Sequence, residues 1–158
     1  MSKQIKITQR INVPLYRVWR YFNTSVGIAS WFPEQGAMLE PKAGGRLRLL
    51  FSDGAIDCEM VEFIPGKRFS YRWNTGGMLG ALIAETNPVF ELSEELTDTG
   101  KPYTIVKFQE TGFGDTTDWM EYYAQTYAGW TMYLLNLKSI CEGGLDLRSS
   151  VRLCYTPD

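Results

Sequence analysis

The chain of 158 residues is long enough for one domain with its own core and short for two. Its 16 Lys and Arg nearly balance 18 Asp and Glu, for a net charge of −2, and with no basic block that excludes a nucleic-acid footprint. Histidine is absent, which removes Ser-His-Asp and Cys-His nucleophile systems, most zinc sites and the usual near-neutral base.

At the N-terminus MSKQIKITQRINV alternates polar and apolar residues. The pattern predicts a strand over 4–12 and lacks the apolar run of a signal peptide. Pro14 suits a first helical position, and Leu15, Val18, Trp19 and Phe22 follow at helical spacing, predicting a short helix over 14–23. A second is expected over 25–30, ending at Trp31-Phe32-Pro33, with 34–45 as loop. A meander follows. Residues 46–52 form a strand, Asp53-Gly54 a hairpin turn, 55–64 the return, Pro65-Gly66 another turn, and 68–74 a strand with Phe69, Tyr71 and Trp73 on one face. Strands over 88–97, with Phe90, Leu92 and Leu96 on one face, and over 103–111, where Val106 and Phe108 share a face with Glu110, complete the sheet. Between them NTGGMLGALIAETN, 74–87, sets Met78, Leu79, Leu82 and Ile83 among glycines. A lid, a partner or dimer patch, or an early strand start would each look like this.

The last predicted element is a long helix over 118–142. Asp118 with Glu121 three residues on resembles a capping box, and Gly143-Gly144 ends the helix. Tyr123, Tyr127, Trp130, Leu134, Leu137 and Cys141 recur at spacings of four and three as one stripe. The expected organisation is a single domain over 1–148 and a tail over 149–158. Cys58, Cys141 and Cys154 are odd in number and far apart, as free thiols would be. Lys42–Arg46 and Gly112–Gly114 lack the phosphate-loop pattern and are turns. No cofactor or metal site is expected. No segment approaches the roughly 18 apolar residues of a membrane helix, and the chain is expected to be cytosolic.

The segment EYYAQTYAGWTMYLLNLKSI, 121–140, is unusually aromatic for a core helix. Buried tyrosine hydroxyls need partners, so such a helix either solves a packing problem or faces something that is not protein. A meander with an aromatic inner face and one helix with a matching stripe pack most simply as a curved antiparallel sheet gripping that helix. The stripe shows burial and not what it is buried against, so packed core and cavity lining both satisfy it.

INVPLYRVWRYFNTSVGIASWF resembles the opening of START-like (SRPBCC, Bet v 1-like) proteins. Gly44-Gly45-Arg46, Pro65-Gly66-Lys67-Arg68 with Tyr71 and Trp73, Phe90-Glu91-Leu92, Glu110-Thr111-Gly112-Phe113 and Gly129-Trp130 with Leu134, Leu137 and Lys138 continue the likeness. The chain is most similar to the branch named for the activator of Hsp90 ATPase (AHSA1). The resemblance implies an α+β helix-grip fold: a curved antiparallel sheet of six to seven strands around a long C-terminal helix, two short helices after the first strand, and a hydrophobic cavity between sheet and helix. It implies a binder of a small hydrophobic or lipid-like ligand, expected to be non-enzymatic because histidine and any catalytic pair are absent, and the apolar stretch 74–87 leaves monomer and homodimer both open. An interaction module for an Hsp90-type chaperone and a cavity enzyme of the cyclase or hydrolase kind are the alternatives it leaves. The expected lining is Phe51, Met60, Phe69, Tyr71, Trp73, Phe90, Phe108, Tyr123, Tyr127 and Trp130, with Glu110 as the polar contact; Glu110 and a tyrosine would be the acid and base of an enzyme. A solvated or Arg-paired Glu110 at the rim satisfies the same register, and Glu62 is expected on the same face as Cys58 and Met60.

Overall fold

The computed structural model describes residues 3–74 and 84–148. Residues 75–83 of the apolar stretch, the tail 149–158 and Cys154 lie outside the described residues. The elements in chain order are β1 (Lys3–Ile11), α1 (Leu15–Trp19), α2 (Ser25–Ala29), β2 (Gly36–Leu39), β3 (Arg46–Phe51), β4 (Gly54–Ile64), β5 (Arg68–Asn74), β6 (Glu85–Leu96), β7 (Pro102–Phe113) and α3 (Thr117–Cys141). All seven strands form one antiparallel sheet in the order β1-β7-β6-β5-β4-β3-β2. The α+β helix-grip architecture expected from the sequence is the one observed.

Local chemistry sets the path from β1 to the far edge. Glu94 Oε1 accepts the Leu15 backbone N–H, which starts α1, and Thr24 Oγ1 accepts from Gly27 to cap α2. Gly27 is required by packing, because a Cβ there would stand 2.2 Å from the Arg20 carbonyl oxygen. Phe22 and Trp31 meet at 5.4 Å between ring centroids, and the Trp31 indole donates to the Tyr21 carbonyl. This places Phe32 over the sheet at the end of α2. The expected loop over 34–45 contains a strand, β2, which the turn-forming residues around it conceal; only Ala37 and Leu39 mark its half-buried face.

Two breaks in the ladder lie near the centre of the sheet. Register shifts between Met60 and Glu62 where β4 meets β5, so Glu62 does not share the inner face with Cys58 and Met60; it is half-buried and pairs with Arg68 at 3.0 Å. β6 begins at Glu85, earlier than the expected 88, and carries Pro88 within it. Proline has no N–H to give, and the β5–β6 pairing is interrupted between Ser70↔Val89 and Trp73↔Thr86. Asn87 Nδ2 covers the gap by donating to the Tyr71 carbonyl at 2.7 Å. Leu96, expected on the inner face, is 65% exposed because the strand has run past the core at that point.

α3 is capped by Thr116, whose hydroxyl accepts from the Trp119 N–H, and not by Asp118, which lies in the first turn where its charge suits the helix dipole. Trp130, Leu134, Leu137 and Cys141 are buried against the sheet. Behind the helix, Asn136 is fully buried: its amide donates to the Trp31 carbonyl and to Asp146, and its oxygen accepts from the Leu147 N–H. Arg148 pairs with Asp146 and donates to the carbonyls of Ala29, Ser30 and Pro33. The segment after α3 is thereby fastened to the end of α2. Among the described residues no helix is long and apolar enough to cross a membrane.

Candidate functional site

A cavity of about 230 Å³ opens between the sheet and the first half of α3. The segment after α2 contributes Phe32, the β3–β4 hairpin contributes Phe51, Asp53 and Ile56, and β5 contributes Trp73. α3 supplies Tyr122, Thr126, Gly129, Trp130 and Tyr133, residues three and four apart on one helical face. Glu110 of β7 lies at the inner end. The rings interlock: Phe32 packs on Trp130 at 4.7 Å and on Tyr133 at 4.9 Å, and Phe51 packs edge-on to Trp73 at 5.9 Å. The Tyr133 hydroxyl donates to Glu34.

Glu110 is 1% exposed, and no Lys or Arg pairs with it among the described residues. Its two oxygens accept from the Trp130 indole and the Thr86 hydroxyl, each at 2.7 Å. Burial pushes the carboxyl up from 4.5 to about 7, and those two hydrogen bonds hold it from rising further. The rim position open to solvent or paired with Arg is therefore excluded. The neighbouring phenols of Tyr71 and Tyr122 are raised as well, first by burial and then by the negative groups around them. Among the described residues, the buried Tyr71 Oη and Trp73 Nε1 meet no hydrogen-bond partner. The Trp73 indole lies beside the Tyr122 hydroxyl without a well-formed bond, and the Thr86 and Thr126 hydroxyls flank that same phenol.

Of the residues expected to line the cavity, the structure brings together Phe51, Trp73, Glu110 and Trp130. Met60, Phe69, Tyr71, Phe90 and Phe108 are instead core: each is 2% exposed or less, and rings such as Phe90 and Phe108, 4.9 Å apart, fill the space between them. Tyr123 and Tyr127 turn away. Tyr123 packs on Phe113 and donates to the Gln4 carbonyl of β1, and Tyr127 is 41% exposed. The hydroxyls of Tyr71, Tyr123 and Tyr127 do not converge. The residues that replace them on α3 lie one position earlier in sequence, about 100° around the helix. Tyr122, Thr126, Gly129 and Tyr133 form a second stripe beside the heptad one, and that stripe was the available signal. Phe32 was visible only as the end of a helix, and Asp53 only as half of a turn.

A seven-stranded antiparallel sheet closed over one long helix, with an aromatic cavity between them, defines a START-like helix-grip protein. Within that class the chain belongs to the family of activator of Hsp90 ATPase homolog 1-like proteins, whose model matches residues 12–142. Its fold is similar to that of protein MLL2253 from Mesorhizobium loti (24% identity, TM-score 0.72, covering 86% of this chain and 94% of that one). It is similar to the Aha1 dimer from Colwellia psychrerythraea (22% identity, TM-score 0.71, 90% and 98% covered). It is also similar to DynU16, a protein of the dynemicin biosynthetic locus (21% identity, TM-score 0.73), spanning 92% of this chain and 49% of that one. No functionally curated protein matches the sequence.

Proposed function

We propose that the protein holds a small, largely apolar molecule in the cavity between the sheet and α3, with Glu110 as the polar group at its inner end. The observation that carries this reading is the open cavity itself, walled by aromatic rings between the sheet and α3. Ligand sites are mostly apolar and concave with a few placed polar groups. At about 230 Å³ the cavity lies below the roughly 300–1,000 Å³ of pockets that take drug-sized ligands. It suits a molecule smaller than a drug or a full-length lipid.

Gly129 makes the reading testable without damaging the core. A Cβ at Gly129 would meet nothing within 4 Å, so Gly129→Leu extends a side chain into the cavity while strengthening the helix by up to about 1 kcal/mol. Native mass spectrometry of the purified wild type, offered tert-butylbenzene, is expected to show uptake of a small molecule that Gly129→Leu abolishes. A wild type that takes up neither tert-butylbenzene nor a charged analogue of the same shape would sink the reading.

A second reading, favoured by membership of a family described by Hsp90 ATPase activation, is a module that engages an Hsp90-type chaperone. A change in that chaperone's ATPase rate on mixing, unaffected by Gly129→Leu, would separate it from ligand holding. An enzymatic reading would give Glu110 the base's role. The phenol beside it at the cavity is Tyr122, and any activity surviving Glu110→Gln would remove that assignment.

A further inference from the structure

Resting on the ligand-holding reading, we infer that the cavity takes a small organic cation, an amine or quaternary ammonium, and not an anionic lipid. Phe32, Phe51, Trp73, Trp130 and Tyr133 form a cage of ring faces and edges around the cavity. Such cages attract organic cations through the ring quadrupole, and the attraction grows when the site is desolvated. The charged groups of the wall are all of one sign. Glu110 closes the inner end, Asp53 stands on the β3–β4 turn, and neither Lys nor Arg contributes to the lining. A third carboxylate, Glu34, accepts from the Tyr133 hydroxyl, which makes the ring more electron-rich.

Glu110 gives the preference its direction. It is buried, its two hydrogen-bond partners are neutral, and no Lys or Arg among the described residues compensates it. A carboxylate in that position lacks one thing only, a positive charge nearby, which a bound ammonium would supply. A fatty acid would bring a second negative group beside it with no basic residue to receive it. A neutral hydrocarbon would fill the cage and leave the carboxyl as it is. Water opposes the cation, since charged groups are far better hydrated than hydrocarbons, so a preference for the cation can come only from the cage and its carboxylates.

Three probes share one shape and differ in charge: phenyltrimethylammonium, tert-butylbenzene and benzenesulfonate. Calorimetric titration of the full chain is expected to show phenyltrimethylammonium binding at least tenfold more tightly than tert-butylbenzene, with no detectable binding of benzenesulfonate. Glu110→Gln should lower the cation's affinity about tenfold, with an unchanged near-ultraviolet circular dichroism spectrum as the control that the variant is folded. Binding of tert-butylbenzene as tight as that of the cation, or any binding of the sulfonate, would overturn the inference while leaving ligand holding in place. Failure of all three probes to bind would overturn both.

Discussion

Glu110 couples acid–base state to folding. In the folded chain its carboxyl titrates at about 7, against an ordinary value of 4.5, because burial disfavours the charged form. Between those values the native state holds a proton that the unfolded chain has released. A raised pKa contributes stability that is whole below the unfolded value and is lost as pH rises through the folded one. The loss is about 3 kcal/mol, at roughly 1.4 kcal/mol per pH unit. Urea denaturation from about pH 4.5 to above about 7 should therefore show the wild type falling by about that amount, and Glu110→Gln staying flat in the same window. Equal slopes for the two proteins would mean that the folded carboxyl is already ionised at low pH. Asp146 is held below its ordinary value by Arg148, and Glu142 is lowered by bonds from Asn12 and Lys138 against the opposing effect of partial burial. Both act at lower pH and with the opposite sign, so the difference between the two proteins isolates Glu110.

At the scale of the elements, α3 shows how far periodicity reaches. The stripe from Tyr123 to Cys141 was legible, and its second half from Trp130 onward lies buried as a stripe should. Its first half does not, because strands of a sheet twist and the face that a long helix meets changes along its length. Tyr123 and Tyr127 end up toward β1, and the neighbouring stripe takes the cavity. No spacing in a single helix records the twist of a sheet it has yet to meet. The sheet carries a parallel case at Pro88, which reads as an edge residue yet lies in an interior strand. What makes this tolerable is Asn87, whose amide supplies the Tyr71 carbonyl with the donor that the broken ladder withholds. Asn87→Ala should leave that buried carbonyl unpaired and cost about 1–3 kcal/mol, measured by urea denaturation. A change of only a few tenths would show that another donor moves in.

For the whole molecule, six of the seven strands and the long helix were legible because alternation, turn residues and helical spacing are local signals, and the likeness to helix-grip proteins supplied how they assemble. The cavity wall was legible in part. Trp73, Phe51, Glu110 and Trp130 were visible as inward-facing residues, but Phe69, Phe90 and Phe108 carry the same signal and are packed core. Inward direction and free space are different properties, and only three-dimensional packing separates them. The fastening behind α3 left no readable trace at all. Asn136 looks like an ordinary polar helix residue, and Arg148 like an unremarkable last residue of the domain, until their partners at Trp31 and Ala29–Pro33 are known.

That fastening bears on where this unit of structure ends. Likeness to the family stops at residue 142, yet the bonds of Asp146, Leu147 and Arg148 run back to α3 and to the segment that carries Phe32. Arg148→Ala in the full chain should cost about 2 kcal/mol, as expected for hydrogen bonds to a charged group, and a chain cut after Glu142 should lose at least as much in the same urea titration. Both should loosen Phe32 and weaken uptake into the cavity; a shortened chain as stable as the full one would show the fastening to be ornamental. The cooperative unit, on this view, is longer than the stretch that the family match spans. Two chains aligned over their shared length could then differ in how firmly the cavity is closed, through residues that the alignment never compares.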